Sequence, residues 1–280
     1  MKKIETVAEM QRECAALRAA GRTIALVVTG GSIHEGHLAL IRAAREKAEV
    51  VVVSLFPNPL QFGASEGFAH YPRTTEGDVA RCEEAGVDLA FLPAQEEMYP
   101  RTFSTFVVEE TISKRLCGIS RPTHFRGVTT VMVKLINIVR PDVLVMGQKD
   151  AQQVAVMRKV IADLNMGVEV VKVPIVRDAD GLACHVRNAT LTPSGRKEAQ
   201  AISQSLVRAQ EMAASGVRST DRIIAEVTHI LAQQRRVRVI YVAIVDRTTM
   251  ETVREVVPGE ALLMIAAWLD EVRLTDNALL

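Results

Sequence analysis

Two histidines, His34 and His37, lie three residues apart in TGGSIHEGHLAL, the stretch from Thr29 to Leu40 that directly follows the apolar run Ile24 to Val28. A run of Ile, Leu and Val reads as a central parallel strand, and ligands of open α/β sheets settle in the crevice beyond the carboxyl ends of such strands. Helix amides beyond His37 would face a phosphate bound there. Gly30, Gly31 and Gly36 allow backbone to approach a ligand closely. No GK[ST] follows and the GxGxxG fingerprint is missing, so the histidines themselves must contact phosphate. Two other readings of the pair stand beside this one. A zinc site would need a third ligand and the HExxH spacing, whereas a purely structural pair would cap the entrance of the helix.

Four further segments are dense in polar side chains. FPNPLQFG, Phe56 to Gly63, presents Asn58 and Gln61 after a strand; their amides either hydrogen-bond a hydroxyl or carboxyl ligand or close the loop on itself. SRPTHFRGV, Ser120 to Val128, packs Arg121, His124 and Arg126 together, a fork of two arginines suited to carboxylate or phosphate, unless the loop merely faces water. MGQKDAQQ, Met146 to Gln153, places Lys149 and Asp150 at another strand end, where the lysine could neutralise a phosphoryl oxygen and Gln153 face the same ligand. DADGLACHVRN, Asp178 to Asn188, is a turn when taken alone; beside the others, Arg187 reads as a phosphate ligand. Cys14, Cys82, Cys117 and Cys184 form no CxxC pair and read as reduced and mostly buried, with Cys184 the best candidate for a nucleophile.

These segments need a scaffold that gathers strand ends. Strand patterns recur at Ile24 to Val28, Val50 to Phe56, Leu89 to Leu92, Val143 to Met146 and Val168 to Val173, with helices expected over Leu38 to Ala48, Thr75 to Ala85, Val128 to Ile138 and Ala151 to Leu164, the last capped by Asp150. This alternation predicts βαβ units and a parallel doubly wound sheet with right-handed crossovers. After Val176 the pattern changes. Helices over Arg196 to Ser215 and Thr220 to Arg235 precede strands over Arg238 to Val245, Ala261 to Trp268 and Glu271 to Leu274, which predicts a smaller C-terminal α+β domain. The expected domains are residues 1–176 and 177–280, with the polar segment at the hinge. The run Arg235 to Arg238 reads as a solvated helix end.

Composition sets the outer bounds. A chain of 280 residues, 48% of them hydrophobic, buries a substantial core and is long enough for two domains. Thirty-four basic against 33 acidic residues leave a net charge of +1, which argues against nucleic acid or an anionic membrane as the main partner. The start MKKIETVAEMQREC is charged throughout and does not read as a signal peptide, and no apolar run approaches a membrane span, so a cytoplasmic protein is expected.

Taken in order, HEGH, NPLQFG, HYPRT, EEMYP, SRPTHFRGV, GQKDAQQ, VRDADGLA and RN resemble the pantothenate synthetases, a family of the nucleotidylyltransferase superfamily, over nearly the whole chain. The resemblance implies a Rossmann-like ATP domain, a smaller C-terminal lid, a homodimer and an AMP-forming ligation. In that reaction pantoate is adenylated with release of pyrophosphate and then condensed with β-alanine. It implies catalytic roles for His34, His37 and Lys149 and a nucleotide site of Gly36, His37, Gly147, Lys149, Asp150, Val176, His185 and Arg187. Gln61 and Gln153 would hold the acid, with Asn58, Tyr71, Arg121 and His124 in support, and Mg²⁺ would accompany ATP.

The chain departs from the family pattern in four places. Val28, Thr29, Gly30 and Gly31 replace PTMG, which would remove bulk from the acid pocket and loosen the loop. Leu60 replaces a threonine, Ala151 an aromatic ring, and His185-Val186 a pair of serines whose hydrogen bond to phosphate His185 could supply. All four are expected to face ligand. Two alternatives to the pantoate reaction follow: a ligase for a different acid or amine, and a nucleotide-binding protein that no longer ligates.

Overall fold

The computed structural model describes residues 1–63 and 67–280. Its larger sheet is built from β1 (Lys2–Ile4), β2 (Ile24–Thr29), β3 (Val50–Leu55), β4 (Leu89–Phe91), β5 (Val143–Gly147) and β6 (Glu169–Val173). The helices between them are α1 (Val7–Ala19), α2 (Glu35–Lys47), α3 (Thr75–Glu84), the short α4 (Gln95–Met98) and α5 (Cys117–Ser120), α6 (His124–Val139) and α7 (Ala151–Asp163). The strands are all parallel in the order β1-β4-β3-β2-β5-β6.

Alternation along the central strands explains the layering. Ile24, Leu26, Val50 and Val52 point to one face and pack with Met10 and Cys14 of α1, Leu135 of α6 and Met157 of α7. Their neighbours Ala25, Val27, Val51 and Val53 point to the other and meet Ile41 and Ala44 of α2 and Cys82 of α3. Both faces are covered, so β2 and β3 are apolar nearly throughout, as expected of a parallel sheet. From β2 the chain moves outward to β3 and β4 on one side, then returns to lay β5 on the other. The sheet therefore reverses direction between β2 and β5, and a crevice opens beyond their carboxyl ends.

The C-terminal part carries α8 (Pro193–Ala214), α9 (Thr220–Ala232) and an antiparallel sheet of β7 (Val237–Asp246), β8 (Ala261–Leu269) and β9 (Val272–Leu279). One face of that sheet, including Leu263, Ile265 and Ala267, packs on Ile202, Leu206, Ile223 and Val227 of the two helices. The other contributes Val245, Leu262 and Met264 to the core of the parallel sheet. The Rossmann-like reading and the smaller α+β unit both hold.

Several boundaries differ from expectation. The charged start hides β1 and α1, because α1 buries only Met10 and Cys14 between exposed charges. Helix α6 begins at His124 rather than Val128, taking the polar HFRG into its first turn. The run Arg235 to Arg238 is not a helix end: α9 stops at Ala232, Arg236 is held by Glu198 and Asp270, and Val237 starts β7 with its side chain buried. Strand β9 continues through Thr275, Asp276 and Asn277 rather than stopping at Leu274, because Asp276 and Asn277 are buried and all three find polar partners there. No helix among the described residues is long and apolar enough to cross a membrane.

Candidate active site

The histidine turn is locally specified. Helix α2 begins at Glu35, two residues before His37, and the histidines form its capping box. His34 Nδ1 accepts from the Gly36 N–H at 3.2 Å, and His37 Nδ1 accepts from the His34 N–H at 3.3 Å. Gly36 is required for this closure, since a Cβ there would lie 2.9 Å from the His34 ring. The rings sit with centroids 4.0 Å apart. Capping and chemistry are thus not alternatives. With each Nδ1 accepting, the proton of a neutral ring is at Nε2, which remains a donor. Burial, reinforced for His37 by His34, pushes the His37 pKa down to about 3; burial and Lys149 lower that of His34. Both rings are neutral at pH 7.

The loop before them is pinned rather than loosened. Buried Asp78 accepts from the Ser32 and Ile33 N–H groups at 2.8 and 2.7 Å, and Arg81 donates to the Ile33 carbonyl at 2.7 Å. The room left by Gly30 is filled as well: a Cβ on Gly30 would lie 2.8 Å from the Tyr71 hydroxyl. Burial raises the Tyr71 pKa, so that hydroxyl stays protonated.

The lysine turn is held from a distance. Beyond β5, Gln148, Lys149 and Asp150 form a single 3₁₀ turn, and Asp150, although at the entrance of α7, makes no side-chain cap. Asn277 of β9, 1% exposed, donates to the carbonyls of Gln148 and Lys149 at 2.9 and 3.0 Å. Thr275 accepts from Lys149 Nζ at 3.4 Å, and Asp150 lies 3.6 Å from the same nitrogen. Buried Asp276 receives a two-pronged ion pair from Arg177 at 2.7 and 3.1 Å, which ties β9 to the segment after β6. Of the two glutamines opening α7, Gln152 is buried and bonds Cys117, Ile112 and Arg115 backbone, whereas Gln153 lines the crevice.

The segment Asp178 to Asn188 folds back on itself around Asp178. Its carboxylate accepts from Arg196, Asn188 and the Cys184 thiol, the last at 2.9 Å. Burial and that carboxylate push the Cys184 thiol up to about 12, so it is no nucleophile. His185 follows, its pKa driven well below the ordinary value by burial and by Lys149 and Arg187 nearby.

Two cavities open at the crevice. The first, about 140 Å³, is lined by Gly36, Gly147 and Val176 among others. The second, about 240 Å³, is lined by Asn58, Gln61, Tyr71, Arg121, His124 and Arg187. His34, His37, Lys149, Asp150, Gln153 and His185 line both and so form their common wall. The residues expected in the catalytic, nucleotide and acid sites therefore converge here, although not all with free polar groups. Asn58 is engaged by Gly127, Gln61, Leu60 and Tyr99, making it a brace of its loop. Arg121 and His124 both reach the Gln61 carbonyl, at 3.2 and 2.9 Å.

Some expectations fail on geometry. Arg126 does not join Arg121 in a fork; from the first turn of α6 it stacks on Phe106, 3.5 Å from the ring centroid. Leu60 and Ala151 line neither cavity, so only the departures at Val28 to Gly30 and at His185-Val186 face the crevice. Sequence reading missed Asp78, Arg273 and Thr275. Arg273, 8% exposed, lines the second cavity together with Thr275 and donates to Ser120 Oγ at 3.0 Å. The period-two placing of Arg273, Thr275 and Asn277 was the available signal.

Fold and site together define a Rossmann-like α/β protein with two ligand cavities meeting at a wall of imidazole and ammonium groups. The family described as Pantoate-beta-alanine ligase matches residues 2–279, and the chain belongs to that family. It is 48% identical to the pantothenate synthetase of Thermotoga neapolitana, with all of both chains covered. The crystal structure of pantothenate synthetase from Thermus thermophilus superposes with a TM-score of 0.94 at 41% identity, covering 99% of each chain. Pantoate-beta-alanine ligase from Francisella tularensis, complexed with beta-gamma ATP and beta-alanine, gives a TM-score of 0.82 at 26% identity over 100% of this chain and 97% of that one.

Proposed function

We propose that this chain is an AMP-forming ligase that adenylates pantoate with ATP and joins the acyl group to β-alanine, giving pantothenate, AMP and pyrophosphate. The observation that carries the reading is the common wall. Two cavities that share His34, His37 and Lys149 would bring an acid and a nucleotide together at those donors. The adenosine side would occupy the first cavity beside Gly36, Gly147 and Val176, and the acid the second, with Gln61, Tyr71 and Gln153 around it.

In the first step a carboxylate oxygen of the acid forms a bond to the α-phosphorus and the bond to pyrophosphate breaks. Negative charge builds on the phosphoryl oxygens, and the Lys149 ammonium with the Nε2–H donors of His34 and His37 would stabilise it. Because both rings are held by the backbone, no reorganisation is needed as charge develops. Arg187 and His185 would meet phosphate oxygens from the hinge side. In the second step the amine nitrogen bonds to the acyl carbon, AMP leaves with the electron pair of the acyl–oxygen bond, and the nitrogen gives up a proton.

Asp150 is the one carboxylate among the described lining residues of either cavity, and no cluster of three metal-ligating side chains occurs among the described residues. That donor set suits Mg²⁺ carried in on the triphosphate with Asp150 as its protein partner; when bound, the ion would offset charge on the leaving pyrophosphate. A cytoplasmic homodimer with a boundary between Val176 and Arg177 completes the reading. The test is pyrophosphate release with ATP and pantoate alone, followed by AMP and pantothenate on adding β-alanine. Binding of ATP without pyrophosphate release for pantoate overturns it.

A further inference from the structure

A third cavity, of about 670 Å³, lies behind the lysine turn, between α7, the outer strand β6 and the C-terminal sheet. It shares no lining residue with the two cavities of the active site. Its size falls within the range of small-molecule pockets, roughly 300–1,000 Å³. The floor is apolar, made by Val154 and Ala155 of α7 with Leu262 and Leu279 of the facing sheet. Ala151 contributes only a methyl group there, at the position where the family pattern carries an aromatic ring.

The rim is cationic in a chain whose net charge is only +1. Arg115, Arg158, Lys159, Lys172 and Arg247 line the cavity against a single carboxylate, Glu251. Two of the five are committed: Arg115 pairs with Glu251 at 2.7 Å and Lys159 with Asp163 at 2.6 Å. Arg158 makes one long contact, to the Val170 carbonyl at 3.4 Å. Among the described residues the side chains of Lys172 and Arg247 have no hydrogen bond or ion pair. These three come from α7, β6 and the segment after β7, so the fold gathers them from separate elements. Burial foremost, and the charges of Arg158 and Arg247 as lesser causes, lower the Lys172 pKa, which places the two guanidinium groups near its ammonium. An anion seated among them would relieve their repulsion.

We propose that this cavity is a second ligand site, for a small organic phosphate whose phosphoryl oxygens meet Arg158, Lys172 and Arg247 and whose carbon skeleton rests on Val154, Ala155 and Leu262. Guanidinium groups present paired donors to phosphate, and an apolar floor beneath them favours an organic phosphate over a bare ion. Gln148 forms part of the wall, so an occupant touches the back of the turn that carries Lys149.

Calorimetric titration of the full chain with AMP, in low salt, tests the site independently of any ligation. Two AMP molecules per chain are expected. Lys172→Glu with Arg247→Glu leaves one, and each single substitution weakens the second site about tenfold. Ala151→Tyr, which fills the floor without altering charge, also abolishes it, and Lys149→Ala weakens only the other site. One AMP per chain, unchanged by the charge reversals and by Ala151→Tyr, overturns the proposal. So does a change of oligomeric state in the charge-reversed variant with AMP stoichiometry constant at one, since the surface is then an interface between copies.

Discussion

The two turns that supply the active-site donors are built in opposite ways. The histidine turn between β2 and α2 is closed by its own residues: each imidazole caps the helix that carries it, over a separation of two or three positions. The lysine turn between β5 and α7 has no cap of its own and is braced by β9, with Asn277 reaching the Lys149 carbonyl across 128 positions. The first can form as soon as its strand and helix do. The second is correct only when the C-terminal sheet is docked. One side of the site is therefore a local motif and the other a report on tertiary assembly.

The largest effect tests the chemistry both turns serve. Lys149→Ala should lower the rate of pyrophosphate release by about 10²–10³-fold, with melting temperature nearly unchanged because the side chain makes only long contacts, to Thr275 and Asp150. Pairing His34→Asn with His37→Gln comes next. It keeps a capping box while removing both Nε2 donors, so turnover should fall about 10²-fold while stability changes by under about 1 kcal/mol. A stability loss above that would show the imidazoles to be mainly structural.

Asn277→Ala probes the distant brace. Two backbone carbonyls lose their donor, at a cost of about 1–3 kcal/mol in denaturant unfolding, and turnover should drop about tenfold through the displaced lysine. An equal stability loss without change in turnover would make the brace irrelevant to the site. The contrast also has a pH signature. The His37 pKa is about 3 in the fold against an ordinary 6.5, so the unfolded chain takes up a proton that the folded chain refuses. Stability is then full above about pH 6.5 and is lost as pH falls towards 3, and the capping-box double variant should show a shallower acid slope. The smallest effect is at Gly30→Ala, whose methyl meets the Tyr71 hydroxyl. The KM for the acid should rise a few-fold, about 1 kcal/mol of lost binding, with that for ATP unchanged, and Tyr71→Phe should rescue it.

The same contrast governs how much could be read before the structure was known. HEGH and the strand before it were legible because period, capping residues and glycine placement are local properties. The alternation of elements announced a parallel sheet, but the pairing of β2 with β5, on which the meeting of His37 and Lys149 depends, was an open condition in the sequence and is supplied by the structure. What could not be read is long-range pairing. Nothing near Asp78 announces that it will hold the Ser32 and Ile33 amides, and Thr275 to Asn277 look like the polar tail of a strand until their partners are seen. Two of the four departures, Leu60 and Ala151, were misplaced because the direction a side chain takes is set by the fold. Ala151 stands next to Asp150 in sequence, yet the helical turn of about 100° per residue sends it to the opposite cavity.

The ion pair of Arg177 with Asp276 and the bond from Asn277 to the lysine turn bear on the order in which the protein becomes competent during synthesis. All six strands of the parallel sheet leave the ribosome before β9 is made. A nascent chain at that stage holds every residue of the histidine turn, but its lysine turn has no brace and Arg177 no carboxylate. Full adenylation competence therefore waits until translation has passed Asn277, and a chain interrupted before then lacks both the lysine brace and the core residues that the C-terminal sheet supplies.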